Sequence, residues 1–223
     1  MREKICKWNI FAPLCLAALT LSACRTAPAP APAPVPVPSA PHLAPSRQAH
    51  RIQSGESLIA ITVRRGGLLA RMGHDHVVAT RAVEGFVDVA RGSTEMRFRL
   101  DQLTVDEPGL RREAGLETQP SADAIEGTRR NMFSKVLRAE AHPWVLVRAT
   151  REGDVLRTDV TLHGVTRSYR VPVQLAVQGN SVQARGAFVA RQSDFGITPF
   201  AVFGGALAVQ DEMELRFAIN ARR

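Results

Sequence analysis

His74 and His76 are the residues of this chain whose type and spacing come nearest to chemistry. They stand in Gly73-His74-Asp75-His76. In an extended strand, residues two apart share a face. Leu68, Met72 and Val78 have the same parity, which places both imidazoles in an interior or at its mouth. Asp75 then faces the other way, with Arg71 and Arg81. Three roles suit such a pair: histidines satisfied by hydrogen bonds inside the fold, polar contacts to a ligand head group, or metal ligation. A closed zinc site takes about four ligands, and no spacing rule joins His142 or His163 to the pair. Asp194-Phe195-Gly196 spells a kinase metal-binding triplet. No glycine-rich loop, His-Arg-Asp loop or strand lysine accompanies it. It reads as a strand end turning at Gly196, with Phe195 packed inward. There is no Gly-x-Ser-x-Gly elbow, His-Glu-x-x-His helix, Gly-x-Gly-x-x-Gly turn or phosphate loop. No cysteine follows position 24, so the mature chain has neither a thiol nucleophile nor a disulfide. An enzyme is not expected.

Cys24 carries a different chemistry. Arg2, Lys4 and Lys7 precede an apolar stretch from Trp8 to about Thr20, and Leu21-Ser22-Ala23 lead into the cysteine. A positive start, a short apolar run and small residues make a secretory signal. The run falls short of the ~20 apolar residues of a spanning helix, and Asn9 and Pro13 interrupt it. The cysteine after small residues resembles the lipobox of bacterial lipoprotein precursors. That implies a thioether-linked diacylglycerol on Cys24, cleavage before it and acylation of the new amino terminus. Arg25, where a retention signal would be Asp, implies by the same analogy the periplasmic face of the outer membrane. From Ala27 to Pro45 the chain alternates Pro with Ala or Val almost throughout. Proline this dense fixes φ and removes amide donors. The segment is expected to be a polyproline II spacer reaching up to ~60 Å, at ~3.1 Å per residue. The expected organisation is a signal peptide over 1–23, the lipidated cysteine and Pro/Ala-rich linker over 24–47, and one folded domain over 48–223.

The formal charge is +8. Lys135 is the only lysine after the signal, so arginine supplies nearly all the positive charge, with no cluster denser than pairs such as Arg64-Arg65 and Arg129-Arg130. Export and this dispersion argue against nucleic acid as a partner. Attraction to an anionic membrane surface fits both.

The folded region is mostly strand-like. Ser57–Arg64 and Gly67–Thr80 read as a hairpin around Arg65-Gly66, followed by a strand over Val83–Val89. Over Thr94–Asp106, Met96, Phe98 and Leu100 alternate with Glu95, Arg97 and Arg99. The same period of two marks Trp144–Thr150, Val155–His163, Ser168–Val177, Ser181–Ala190 and Glu212–Asn220, the pattern of half-buried antiparallel strands. Glu107–Pro120 reads as a polar loop. Ser121 to about Ala141 reads as a helix, capped by Ser121 or Asp123, with Ile125, Met132, Phe133, Val136 and Leu137 as its apolar stripe and Pro143 at its end. About eight antiparallel strands with one helical insertion imply an all-β, closed barrel.

Thr161-Leu162-His163-Gly164-Val165-Thr166, then Arg191-Gln192-Ser193-Asp194-Phe195-Gly196-Ile197, then an alternating strand to the chain end form an ordered set. His142-Pro143 before a strand and Glu84-Gly85-Phe86 in an early one stand upstream. Together they resemble the YceI-like family, over about Gln53 to Arg223. The resemblance implies a lipocalin-like barrel, secreted to the bacterial periplasm, whose tunnel takes the apolar tail of a polyisoprenoid such as a quinone or polyprenyl lipid. This chain departs from the family pattern in its lipobox-like Cys24 and in a longer, more acidic Leu103–Arg130, which points to a different pocket mouth. The ligand set expected on this reading is Phe86, Phe98, Leu100, Phe133 and Trp144 from the first part of the barrel. Leu162, Val173, Phe188, Phe195 and Phe217 come from the second, and His74 and His76 stand at the mouth. No resident cofactor or metal is expected. An isoprenoid tail of about 30 carbons, at ~0.3 kcal/mol per heavy atom, gains about 9 kcal/mol, a micromolar dissociation constant or tighter. Two other readings remain open: a metal- or cofactor-binding module using His74 and His76, and a scaffold for a protein partner.

Overall fold

The computed structural model describes residues 45–116 and 118–223. Cys24, the expected signal peptide and all but the last three residues of the expected linker lie outside them.

Alternation of apolar and polar side chains gives each strand one dry and one wet face. β1 (His50–Ile52) and β2 (Leu58–Gly66) run end to end along the last strand, β12 (Leu207–Arg222). Ile52 stands opposite Ala221, and Leu58 opposite Ala218. β3 (His76–Thr80) and β4 (Glu84–Asp88) make the next stave, pairing with β2 and β1 respectively. β5 (Ser93–Arg99) and β6 (Thr104–Val105) make the third, against β4 and β3. Two helices follow, α1 (Pro108–Glu113) and α2 (Ala122–Asn131). β7 (Trp144–Glu152), β8 (Val155–Leu162), β9 (Val165–Gln178) and β10 (Ser181–Arg191) then pair each with the next. β7 lies on β5, and β10 lies on β12. A short β11 (Ala201–Val202) folds back on β12. Every stave thus neighbours its predecessor, and β12 closes the ring by meeting both β10 and β1–β2. The result is the expected closed, antiparallel, lipocalin-like barrel of eight staves. Tight turns at 89–92, 153–154 and 179–180 gather at one end; the long connections 67–75, 106–143 and 192–206 gather at the other.

Three local expectations are corrected. The hairpin expected around Arg65-Gly66 is interrupted: residues 67–75 leave the sheet, make a 3-10 turn over Ala70–Met72, and the chain re-enters at His76. Asp75 Oδ1 accepts the Arg65 amide at 2.8 Å, occupying a donor that a continuing ladder would have used. The loop expected over 107–120 contains α1. Its Pro108 stands in the first turn, where a missing N–H costs nothing. Leu110 and Leu116 cover Ala60, Val77 and Ala79 on the outer face of β2 and β3, a second small core. β1 was not expected, being three residues long. The main helix begins as expected, with Ser121 Oγ accepting the Ala124 amide at 3.2 Å. It continues into one wide turn over Met132–Val136, in which the Leu137 amide reaches Met132 O at 2.8 Å.

Gly186 faces inward on β10. A Cβ there would lie 2.5 Å from Pro172 O and 2.6 Å from Phe217 Cζ, so the Phe217 ring occupies the space a side chain would need. Gly186→Val is therefore expected to destabilise the fold by about 1–3 kcal/mol through overpacking, read as a lower urea midpoint. An unchanged midpoint would contradict this packing.

Candidate functional site

Eight staves leave an interior wide enough for filling side chains or one slender ligand. Here the inward positions are mostly valine, alanine and leucine, and a cavity of about 410 Å³ remains. Small-molecule pockets run to roughly 300–1,000 Å³. Its walls include Ile59, Ile61, Val147, Val160 and Leu215, and it opens at the end where the long connections gather. Helical residues Thr128, Asn131, Met132, Val136 and Leu137 wall one part of that end; Met72, Gly73, Phe200 and Leu207 wall another.

Of the expected ligand set, Phe98, Leu100, Leu162, Phe188, Phe195 and Phe217 line this cavity, as do His74 and His76. Val173 lines a smaller cavity of about 60 Å³ nearer the tight-turn end, while Met96, Leu156 and Phe217 line both. Phe86 and Trp144 are corrections. Phe86 pairs with Arg51 and Glu95, in an outer row that continues to Arg148. Paired residues share a face, so Phe86 lies outside, while its neighbours Val87 and Val89 pack on the core. Trp144 is also outside, with the guanidinium carbons of Arg97 and Arg99 at 5.0 and 5.2 Å from its ring centroid, a cation–π arrangement. Phe133 packs against the core from the helix, under Arg129 at 5.0 Å, and does not line the cavity.

Tyr169 was missed. Its ring lies 5.2 Å from Phe188 and 6.4 Å from Phe195, in the cavity wall. Burial first, and then the charge of Asp194, push its phenol up to about 12. It stands there as a neutral hydroxyl, 3.5 Å from Asp194 Oδ2.

The polar chemistry concentrates on His76. Its Nδ1 lies 2.6 Å from Asp106 Oδ2. Asp106 Oδ1 accepts from the Val77 amide at 3.0 Å and from Arg111 Nη1 at 2.6 Å. The same Nη1 donates to Asp75 O at 2.7 Å, while Nε and Nη2 of Arg111 donate to Thr118 O. Asp106 and Arg111 are buried, at 2% and 1% exposure. Burial works to raise the Asp106 carboxyl, but the hydrogen bond and charge of His76, the Val77 amide and Arg111 together hold it below the ordinary carboxylate range. An ionised Asp106 fixes the proton of His76 on Nδ1, and the residue lines the cavity. His74, 6.3 Å away ring to ring, joins it at the mouth. His74 precedes β3, so strand parity does not place it; the loop does. The rings of His142 and His163 lie 4.4 Å apart and tilted at 59°, and burial first, then the charges of His163 and Arg138, lower the His142 pKa. Among the described residues, no group of three or more His, Cys, Asp or Glu is placed to hold a metal ion.

The closed up-and-down barrel with an apolar hollow defines a lipocalin-like container. The model of the YceI-like domain matches residues 57–221, and the chain belongs to that family. Its fold is similar to that in the crystal structure of Burkholderia cenocepacia BcnA, at a TM-score of 0.53 and 14% identity, over 76% of this chain and 99% of that one. Among curated proteins, none matches the chain in sequence.

Asp106→Asn keeps the shape of the side chain but leaves the Arg111 guanidinium buried without a counter-charge, an expected cost of about 3–5 kcal/mol near neutral pH. Because folding lowers the Asp106 pKa, its linked stability is complete above the unfolded value of about 3.9 and is lost as pH falls through the lower folded value. Urea unfolding of parent and variant should therefore show a gap that narrows below about pH 4. A gap independent of pH would contradict the assignment.

Proposed function

We propose that this protein binds a long apolar lipid, an isoprenoid such as a quinone or polyprenyl lipid, tail first in the barrel, and sequesters or carries it. The observation that carries this reading is the hollow of about 410 Å³, apolar along its walls and polar at its mouth. Membership in the YceI-like family supports lipid binding in general. Burying methylenes contributes ~0.8 kcal/mol each before entropic costs, so a long tail needs no charged anchor. The polar end of the ligand is assigned to the mouth, where His76, His74 and Arg65 stand. The lipobox-like Cys24 would hold the domain on the periplasmic face of the outer membrane, with the Pro/Ala-rich segment as its tether. A binding protein, not an enzyme, is the reading that this interior supports.

Ala190 is buried in the cavity wall. Native purification followed by mass spectrometry of an organic extract should recover a stoichiometric apolar lipid. Ala190→Phe, which projects a ring into the hollow, should lose it while keeping the barrel's circular dichroism. Repeated recovery of parent protein without lipid, or equal lipid in the folded variant, would overturn the reading. Cys24→Ala is expected to move the protein from the membrane to the soluble periplasmic fraction with ligand affinity unchanged; persistence in the membrane fraction would contradict the anchor.

A further inference from the structure

We infer that two touching loops at the cavity mouth dock on an anionic lipid bilayer, holding the open end of the barrel at the source of its ligand; this rests on the lipid-binding reading above. Large apolar side chains stand exposed at Leu68 (96%), Leu69 (40%), Met72 (70%) and Phe203 (76%). All four belong to two segments in contact. The Leu69 amide donates to Ala206 O at 2.7 Å. Gly67, at φ +83°, approaches so closely that a Cβ there would lie 2.6 Å from Gly205 O. Scattered exposed apolar residues are ordinary, but a contiguous patch marks an interaction surface.

Phe203 is held out under strain. Its φ is +53°, and Gly204 and Gly205 follow at +64° and +90°. A bulky residue in the left-handed region is an outlier, and such strain collects at functional positions. The patch is continuous with the cavity: Met72 is both exposed and part of the wall, beside Gly73, Phe200 and Leu207.

Charge selects the occupant. Residues 67–74 and 198–206 contain Arg71 and no carboxylate; the next residue, Asp75, is paired with Arg64 and Arg65 at 3.9 and 3.8 Å, which leaves Arg71 as the cation of the patch. Arg65 stands at the lip, donating to Gly73 O at 3.0 Å. Anionic leaflets attract basic residues at the surface. Apolar tips flanked by arginine suit the boundary between head groups and acyl chains. Residues 45–49 lie at the opposite end, where His50 pairs with Val87 beside the tight turns.

The test is flotation of the Cys24→Ala chain, free of acyl groups, with phosphatidylcholine vesicles with and without phosphatidylglycerol. The parent should float with the anionic vesicles. The combined variant Leu68→Gln, Leu69→Gln, Phe203→Asn, at exposed positions that do not line the cavity, should bind them about tenfold or more weakly, and should extract lipid from them more slowly. Asn suits the left-handed conformation at 203, so the thermal midpoint and the equilibrium uptake of a detergent-dispersed isoprenol should stay at parent values. Arg71→Gln, alone and exposed, should weaken binding only to the phosphatidylglycerol vesicles, and it carries the test if the triple variant does not fold. A parent that does not float, a folded triple variant that floats equally, or an Arg71→Gln chain with no loss overturns the proposal. So does a parent dimer that the triple variant dissolves, which would give the patch to a second copy. Flotation without any isoprenol uptake would instead overturn the lipid-binding reading and leave the docking surface standing.

Discussion

The structure depends on the closure of its sheet by β12. One edge of that strand pairs with β10 over eleven residues, from Ser181↔Arg222 to Arg191↔Glu212. The other edge meets β2 and then β1. Closure removes the exposed edge that an open sheet would present. It also commits every stave to an inner and an outer face, so the size of the inward side chains decides between a filled core and a hollow. Valines on β7 and β8, with Ala190 on β10, leave a hollow. Near the mouth the register of β12 against β2 shifts between Val209 and Met213. This irregularity frees Gln210 to donate to Arg65 O at 3.0 Å and Asp211 to accept the Ser193 amide at 2.8 Å. Bulges commonly sit at barrel rims, where they re-aim side chains. Here one ties the segment after β10 to the end of β2, the two sides of the mouth.

The buried Asp106–Arg111 pair links that rim to the outer layer. α1 packs its leucine on the outer face of β2 and β3, and Arg111 of the same helix reaches Asp106, which grips His76. A buried ion pair of this kind is weak evidence for net stability, because desolvation opposes its attraction. Its physical consequence is orientation: the imidazole of a cavity-lining residue is held by one committed nitrogen. The long segment between β6 and β7 thus contributes a wall to the mouth through α2 and an orienting charge through α1.

Much of the barrel was legible because its strands alternate cleanly. β5, β7, β8, β9, β10 and β12 all follow the period of two, and the helix announced itself by Ser121 and its apolar stripe. Short elements were not legible. β1 is three residues long, and α1 buries one leucine and one arginine in a charged stretch, too little for a period to form. Residues 67–75 carry enough apolar residues to imitate a strand, but their leucines and Met72 point to solvent. Phe86 and Trp144 belong to the expected ligand set but lie outside. Their parity, opposite to Val87 and Val145, was the available signal and favours the outside. The Asp106–Arg111–His76 network left no local pattern, since His76 and Asp106 are 30 residues apart and meet only through the β3–β6 pairing. The phenylalanines of β5, β10 and β12 reached the cavity because alternation and burial agreed there.

The central claim is that the inner face of this barrel, and not its outer face, holds the apolar ligand. It is tested most directly by nuclear Overhauser contacts between a bound isoprenol and methyl-labelled protein. Contacts to Val147, Val160 and Leu215, with none to Leu110 or Leu116 under α1, are the predicted result. Contacts confined to the outer methyls, with the inner ones silent, would contradict it.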